Sequence, residues 1–128
     1  MAVAAPEMTI AEAAAEAGVS VHTLRYYERA GLLAPIERNR SGHRRFTAED
    51  VEWVAVCTKL RATGMPIRRI REYAELVREG EGNEAARLAL LEAHREDVRA
   101  RLREVKRNLE LIDYKIDLYR GKLDGSCS

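Results

Sequence analysis

The chain has 128 residues, of which 46% are hydrophobic, 34% charged and only 5% aromatic. So few aromatics argue against a large β-sandwich core, and so many charges point to long solvated helices, because a thin helical element cannot bury both faces. The net charge of +1 excludes a bulk polycation, and no run approaches the roughly 18 apolar residues that a membrane-spanning helix needs.

The opening "MAVAAP" reads as a loose extension over residues 1–7, with no secretory leader pattern. Two cysteines, Cys57 and Cys127, suit a reduced, cytoplasmic protein. Thr9 and Glu12 form a capping box, and Ile10, Ala13, Ala14 and Ala17 follow at helical spacing. Gly18 ends that helix. Ser20 caps a second one, which buries Val21, Leu24 and Tyr27 and stops at Gly31. Helix, glycine turn, helix in this compass is the spacing of a helix-turn-helix.

Next comes "PIERNRSGHRRF". Pro35 breaks the helix, Ile36 and Phe46 are candidate strand anchors, and "NRSG" carries turn chemistry. These features predict a two-stranded wing. Thr47, with Asp50, caps a third helix whose inner side is Val51, Trp53, Val54, Cys57 and Leu60. Gly64 closes it, and Pro66 opens a fourth helix carrying Ile67, Ile70, Tyr73, Ala74 and Val77. The pair Gly80/Gly82 marks the domain boundary, giving a winged helix-turn-helix domain over residues 8–80.

From Asn83 to Arg120 there is neither Gly nor Pro. Leu88, Leu91, Val98, Leu102, Val105, Leu109, Ile112, Ile116 and Tyr119 step by three, four and seven, with Arg95 in the single gap. This is a heptad stripe. At about 1.5 Å per residue it extends roughly 48 Å, too long to hide against so small a domain. A second copy of the chain is its simplest cover, so residues 83–120 read as a homodimerising coiled coil and 121–128 as a short tail.

The charge is unevenly spread. Before Ser20 there are three acids and no Lys or Arg, whereas from Ser20 to Phe46 six arginines face Glu28 and Glu37, a net of 6 − 2 = +4. Such a local patch can bind phosphate on a neutral chain. On the second helix, His22 and Arg25 fall opposite Leu24 and Val21, where a major groove would lie. Arginine suits guanine edges and phosphate forks. Tyr26 and Tyr27 would divide duties, one ring in the core and the other's hydroxyl on the DNA backbone. Arg38, Arg40, Arg44 and Arg45 would serve flanking phosphates from the wing, with Arg61 adding a contact. The alternative is that the tyrosines are core filler and the arginines merely solvated. Arg68, Arg69 and Arg71 read equally well either way.

The stretch "TIAEAAAEAGVSVHTLRYYERAGLLAPIERNRSGHRRFTAEDVEWV" resembles the winged-helix DNA-binding domain of the MerR family, with "TLRYYERAGLL" as its most specific part. The resemblance implies a mostly α fold: a winged helix-turn-helix, a second helix pair and a long antiparallel coiled-coil dimerisation helix. It assigns DNA contact to His22, Arg25, Tyr27, Arg38, Arg44 and Arg61. It implies double-stranded promoter DNA as partner, a homodimer, and RNA polymerase as an indirect beneficiary of DNA bent and untwisted in response to an effector. Phe46 stands where the family usually has tyrosine.

The stretches "DVEWVAVCTKLRATGM" and "LIDYKIDLYRGKL" resemble a small aldehyde- or electrophile-responsive subgroup. Its reactive cysteine falls two positions further along, where this chain has Lys59. Cys57 is thus either a sensor thiol, acidified by Lys59 or Arg61, or an inert core residue. No metal or other cofactor is expected, because the thiols are not paired. His22, His43 and His94 sit on different elements, so no catalytic constellation forms and the chain is not read as an enzyme. An architectural or excisionase-like DNA-binding protein is the alternative function.

Overall fold

A computed structural model describes residues 7–34 and 45–125. Five helices follow in order: α1 (Ile10–Ala17), α2 (Val21–Arg29), α3 (Ala48–Ala62), α4 (Ile67–Arg78) and α5 (Glu84–Leu123). The chain divides into two compact units, Met1–Leu90 and Leu91–Ser128. The first therefore takes in the opening turns of α5, beyond the boundary expected at residue 80, because Leu90 packs on the head's core.

Local chemistry sets the helix ends. In α1 the Thr9 hydroxyl accepts the Glu12 amide at 3.2 Å, and the Glu12 carboxylate accepts the Thr9 amide at 3.1 Å. Thr47 and Asp50 do the same for α3, at 3.2 and 2.9 Å. Each reciprocal pair satisfies two orphan amides of a first turn. Gly18 closes α1 in the left-handed region, at φ 72°, where a side chain would clash with the backbone. Gly31 follows α2 at φ 79°, and a Cβ there would meet the Arg71 side chain at 3.1 Å. It is glycine for two reasons, conformation and space.

The head's core is one cluster. Leu24 and Tyr27 from α2, Leu32, Phe46, Val54 and Cys57 from α3, and Ile70 from α4 are all nearly inaccessible. Burying each aliphatic or phenyl side chain contributes on the order of 1.5–3 kcal/mol. Phe46 is anchored by the backbone too, exchanging hydrogen bonds with Met8 at 2.8 and 2.9 Å. Its expected partner, Ile36, lies with the rest of the anticipated wing in residues 35–44, outside the described residues.

The chain leaving α2 is held by side chains from the second helix pair. Trp53 Nε1 donates to the Leu32 carbonyl at 2.6 Å, and its ring stacks on Tyr73 with centroids 5.6 Å apart. Arg78 donates to the carbonyls of Gly31 and Leu33, at 2.9 and 3.3 Å. Three consecutive carbonyls that no helix satisfies thus find partners. The turn from α4 into α5 is tied similarly. Asn83 donates to the Leu76 carbonyl at 2.8 Å, while Arg87 reaches both the Asn83 side chain, at 2.6 Å, and the Gly80 carbonyl.

Helix α5 runs three residues past the expected end at Arg120. Gly121 does not stop it, since one interior glycine costs only about 1 kcal/mol. Gly125, at φ 70°, takes the left-handed position just beyond the end. The heptad side chains lie open in the single chain. Leu88, Leu102, Val105, Leu109, Ile112, Ile116 and Tyr119 are between 41% and 65% exposed, and Leu91 and Val98 are partly exposed. Among the described residues, no helix is long and apolar enough to cross a membrane.

Candidate nucleic-acid interface

Helix α2 is short and two-faced. Ser20 caps it, its hydroxyl accepting the Thr23 amide at 3.0 Å. Leu24 and Tyr27, three apart, are buried, with Val21 partly so. His22, Arg25 and Arg29, at spacings of three and four, are exposed on the other side. Among the described residues, neither His22 nor Arg25 makes a hydrogen bond or an ion pair. Their donors remain available to an outside acceptor.

The two tyrosines part company. Tyr27 is 1% exposed, and its hydroxyl lies 3.2 Å from Thr58 Oγ1 on α3. Thr58 gives its own proton to the Val54 carbonyl at 2.9 Å, so the tyrosine hydroxyl is the donor in the pair. Tyr27 is therefore the core ring, and its single proton is already committed within the head. The family resemblance assigned DNA contact to this residue, whereas here its hydroxyl faces Thr58. Tyr26 is only partly buried. Its ring tilts 48° against Tyr27, centroids 6.2 Å apart, and the Arg61 guanidinium lies over it, 5.1 Å from the centroid.

Arg61 projects from the last turn of α3 and is exposed. Arg45 carries an ion pair at the surface of the head. Its guanidinium pairs with Glu7 at 3.0 Å, an acid that the sequence reading leaves in the loose extension. Arg38, Arg40 and Arg44 lie outside the described residues. On α4, Arg69 pairs with Glu72 at 3.2 Å, and the Arg71 side chain covers Gly31, which favours the solvated or packing reading of those two.

Cys57 is completely buried. Desolvation pushes its thiol up to about 12, against an ordinary 9.0. Of the two readings of Cys57, this favours the inert core residue over a thiol acidified by Lys59 or Arg61: both are exposed, and burial penalises the thiolate more than distant solvated cations help it. Cys127 lies outside the described residues. Among those residues, no three potential metal ligands cluster. In a Cys127→Ser background, Cys57 should react with a disulfide reagent only at the rate of unfolding. Fast labelling of the folded protein would contradict this. The raised value also means that the thiol's contribution to stability is complete below about pH 9 and is lost as pH rises toward 12.

One contact escapes the sequence reading altogether. Thr58 and Arg61, three residues apart on α3, face the adjacent tyrosines of α2. Their helical spacing is a signal, but only the packing of α2 against α3 gives it meaning.

The MerR HTH family regulatory protein model matches residues 8–76, and the MerR DNA-binding model matches residues 51–113. The chain belongs to the MerR family. It is a DNA-binding transcriptional regulator and not an enzyme. An HTH-type transcriptional regulator from Haemophilus influenzae is 38% identical over 112 residues, covering 88% of this chain and 83% of the relative. The crystal structure of a MerR-family regulator from Listeria monocytogenes superposes with a TM-score of 0.87 at 40% identity, covering 93% of this chain and 90% of that one. A second structure, HiNmlR, is described as a MerR-family regulator lacking the sensor domain, bound to promoter DNA. It superposes with a TM-score of 0.82 at 36% identity, covering 94% and 96% of the two chains. In this MerR-family chain the helix-turn-helix is α1 and α2, and the exposed cations of α2 stand on its second helix.

Proposed function

We propose that the chain acts as a homodimer whose two heads read the half-sites of a promoter operator and distort the DNA between them in response to an effector. The observation that carries this is the division of α2: Leu24 and Tyr27 are sunk in the core while His22 and Arg25 stand outside, without hydrogen-bond or ion-pair partners among the described residues. A helix held rigidly by one face can present the other to base edges. His22 and Arg25 read bases, Arg61 reaches a phosphate, and Arg38, Arg40 and Arg44 supply further phosphate contacts from the segment between Leu33 and Phe46. The relative solved on promoter DNA supports the ligand. The open heptad stripe of α5 supports the dimer, with the antiparallel arrangement implied by the family. Bending and untwisting of a promoter with an overlong spacer would then let RNA polymerase engage both of its elements.

A second reading keeps the heads and the dimer but drops the effector switch, leaving an architectural DNA-binding protein. The buried, protonated Cys57 favours it, because the one described thiol cannot serve as a ready sensor. Transcription in vitro from an overlong-spacer promoter, with and without a thiol-reactive aldehyde, separates the two. Activation that depends on the aldehyde supports the switch. Equal output in both conditions supports the architectural reading.

A further inference from the structure

Helix α2 carries two neighbouring tyrosines, and α3 answers each of them with a residue of its own, three positions apart. Tyr27 meets Thr58, and Tyr26 meets Arg61. We propose that Tyr26 is a positioning residue whose ring, not its hydroxyl, holds the Arg61 guanidinium ready for a DNA phosphate. This deepens the DNA-binding reading above and rests on it.

Arginine has more rotamer freedom to lose on contact than most side chains. A cation within about 6 Å of an aromatic centroid is attracted by the ring's quadrupole, and 5.1 Å falls inside that range. A guanidinium held over a ring by this attraction, without a carboxylate partner, keeps N–H donors for a phosphate fork. The platform is itself fixed: Tyr26 is half-buried against Tyr27, and Tyr27 is pinned through Thr58 to the α3 backbone. Among the described residues, no carboxylate pairs with Arg61 to compete for it. The contact also crosses helices. It ties a cation rooted on α3 to the helix that carries His22 and Arg25.

The test uses the full chain and the variants Tyr26→Phe, Tyr26→Leu, Arg61→Ala and the double Tyr26→Leu/Arg61→Ala. Each is titrated onto a mixed-sequence duplex of about 30 base pairs, at salt from roughly 50 to 200 mM. Tyr26→Phe keeps the ring and should bind like the parent, with the same salt slope. Arg61→Ala should weaken binding roughly tenfold and lower the slope by about one. Tyr26→Leu should lose about threefold, and the double variant should match Arg61→Ala alone. A loss in Tyr26→Phe as large as in Tyr26→Leu would assign the contact to the hydroxyl and overturn the proposal. So would additive losses in the double variant.

A second measurement needs no DNA and no leucine variant. The Arg61 δ-protons should be shifted upfield by the ring current in the free parent and in Tyr26→Phe alike, and random-coil positions there would refute the platform. A parent protein with no salt-dependent duplex binding would sink the DNA reading and the phosphate role together. An intact ring-current shift in that case tells the two failures apart.

Discussion

Replacing Leu102 and Leu109 with aspartate is expected to yield a monomer that engages DNA one head at a time. Both side chains lie more than half exposed in the single chain, within the heptad stripe of α5. In a coiled coil each would be buried against the partner helix, and an unpaired carboxylate there is far costlier than leucine. The sedimentation mass should fall from 29 kDa (twice 14.5) to 14.5 kDa. Two linked heads gain from effective concentration, so operator affinity should drop by roughly 10²–10⁴-fold. Helicity should fall as well, because a long helix with no packed face has little to hold it in water. An unchanged mass would remove the dimer seam from the account.

Arg25→Ala should abolish preference for the operator over a scrambled duplex while leaving binding to the scrambled duplex nearly intact. Its guanidinium stands on the outer face of α2, beside His22 and opposite Leu24. A bidentate contact to a guanine edge is worth about 1–3 kcal/mol of discrimination, and a dimer would lose it at both half-sites. Arg44→Ala should behave in the opposite way. As a phosphate contact it should weaken both duplexes equally and reduce the salt slope by about one. Titrating both variants on both duplexes decides the matter, and equal losses on the two duplexes for Arg25→Ala would disprove base reading by that residue.

Much of the head is written locally. The capping boxes Thr9/Glu12 and Thr47/Asp50 and the glycine after α1 are short-range signals, and α1 and α3 begin where their own sequence says. The buried faces of α2, α3 and α4 follow from three-and-four spacing, and so does the outward placement of His22 and Arg25. Such features need only neighbours within one turn, which is why a linear reading recovers them. The reading misses partners that lie far along the chain. Arg45, counted among the DNA-facing cations, also meets Glu7, 38 positions away. For Cys57 the sequence left open a sensor thiol or an inert core residue, and complete burial favours the second, while Lys59 and Arg61 face water.

By itself the sequence determined the order of helices, their caps, the concentration of arginine between Ser20 and Phe46, and the apolar stripe of α5. All of these arise from the period of the helix and from backbone chemistry within a few residues. Only the tertiary structure decided what each tyrosine meets: that the Tyr27 hydroxyl faces Thr58, that Arg61 rests over Tyr26, and that Trp53 and Arg78 clasp the carbonyls leaving α2. The physical reason is that helical spacing fixes which face a residue takes but not which side chains of another helix lie against it. Tyr26 and Tyr27 differ only by the 100° that separates them around α2, and what waits at each angle is set by where α3 packs.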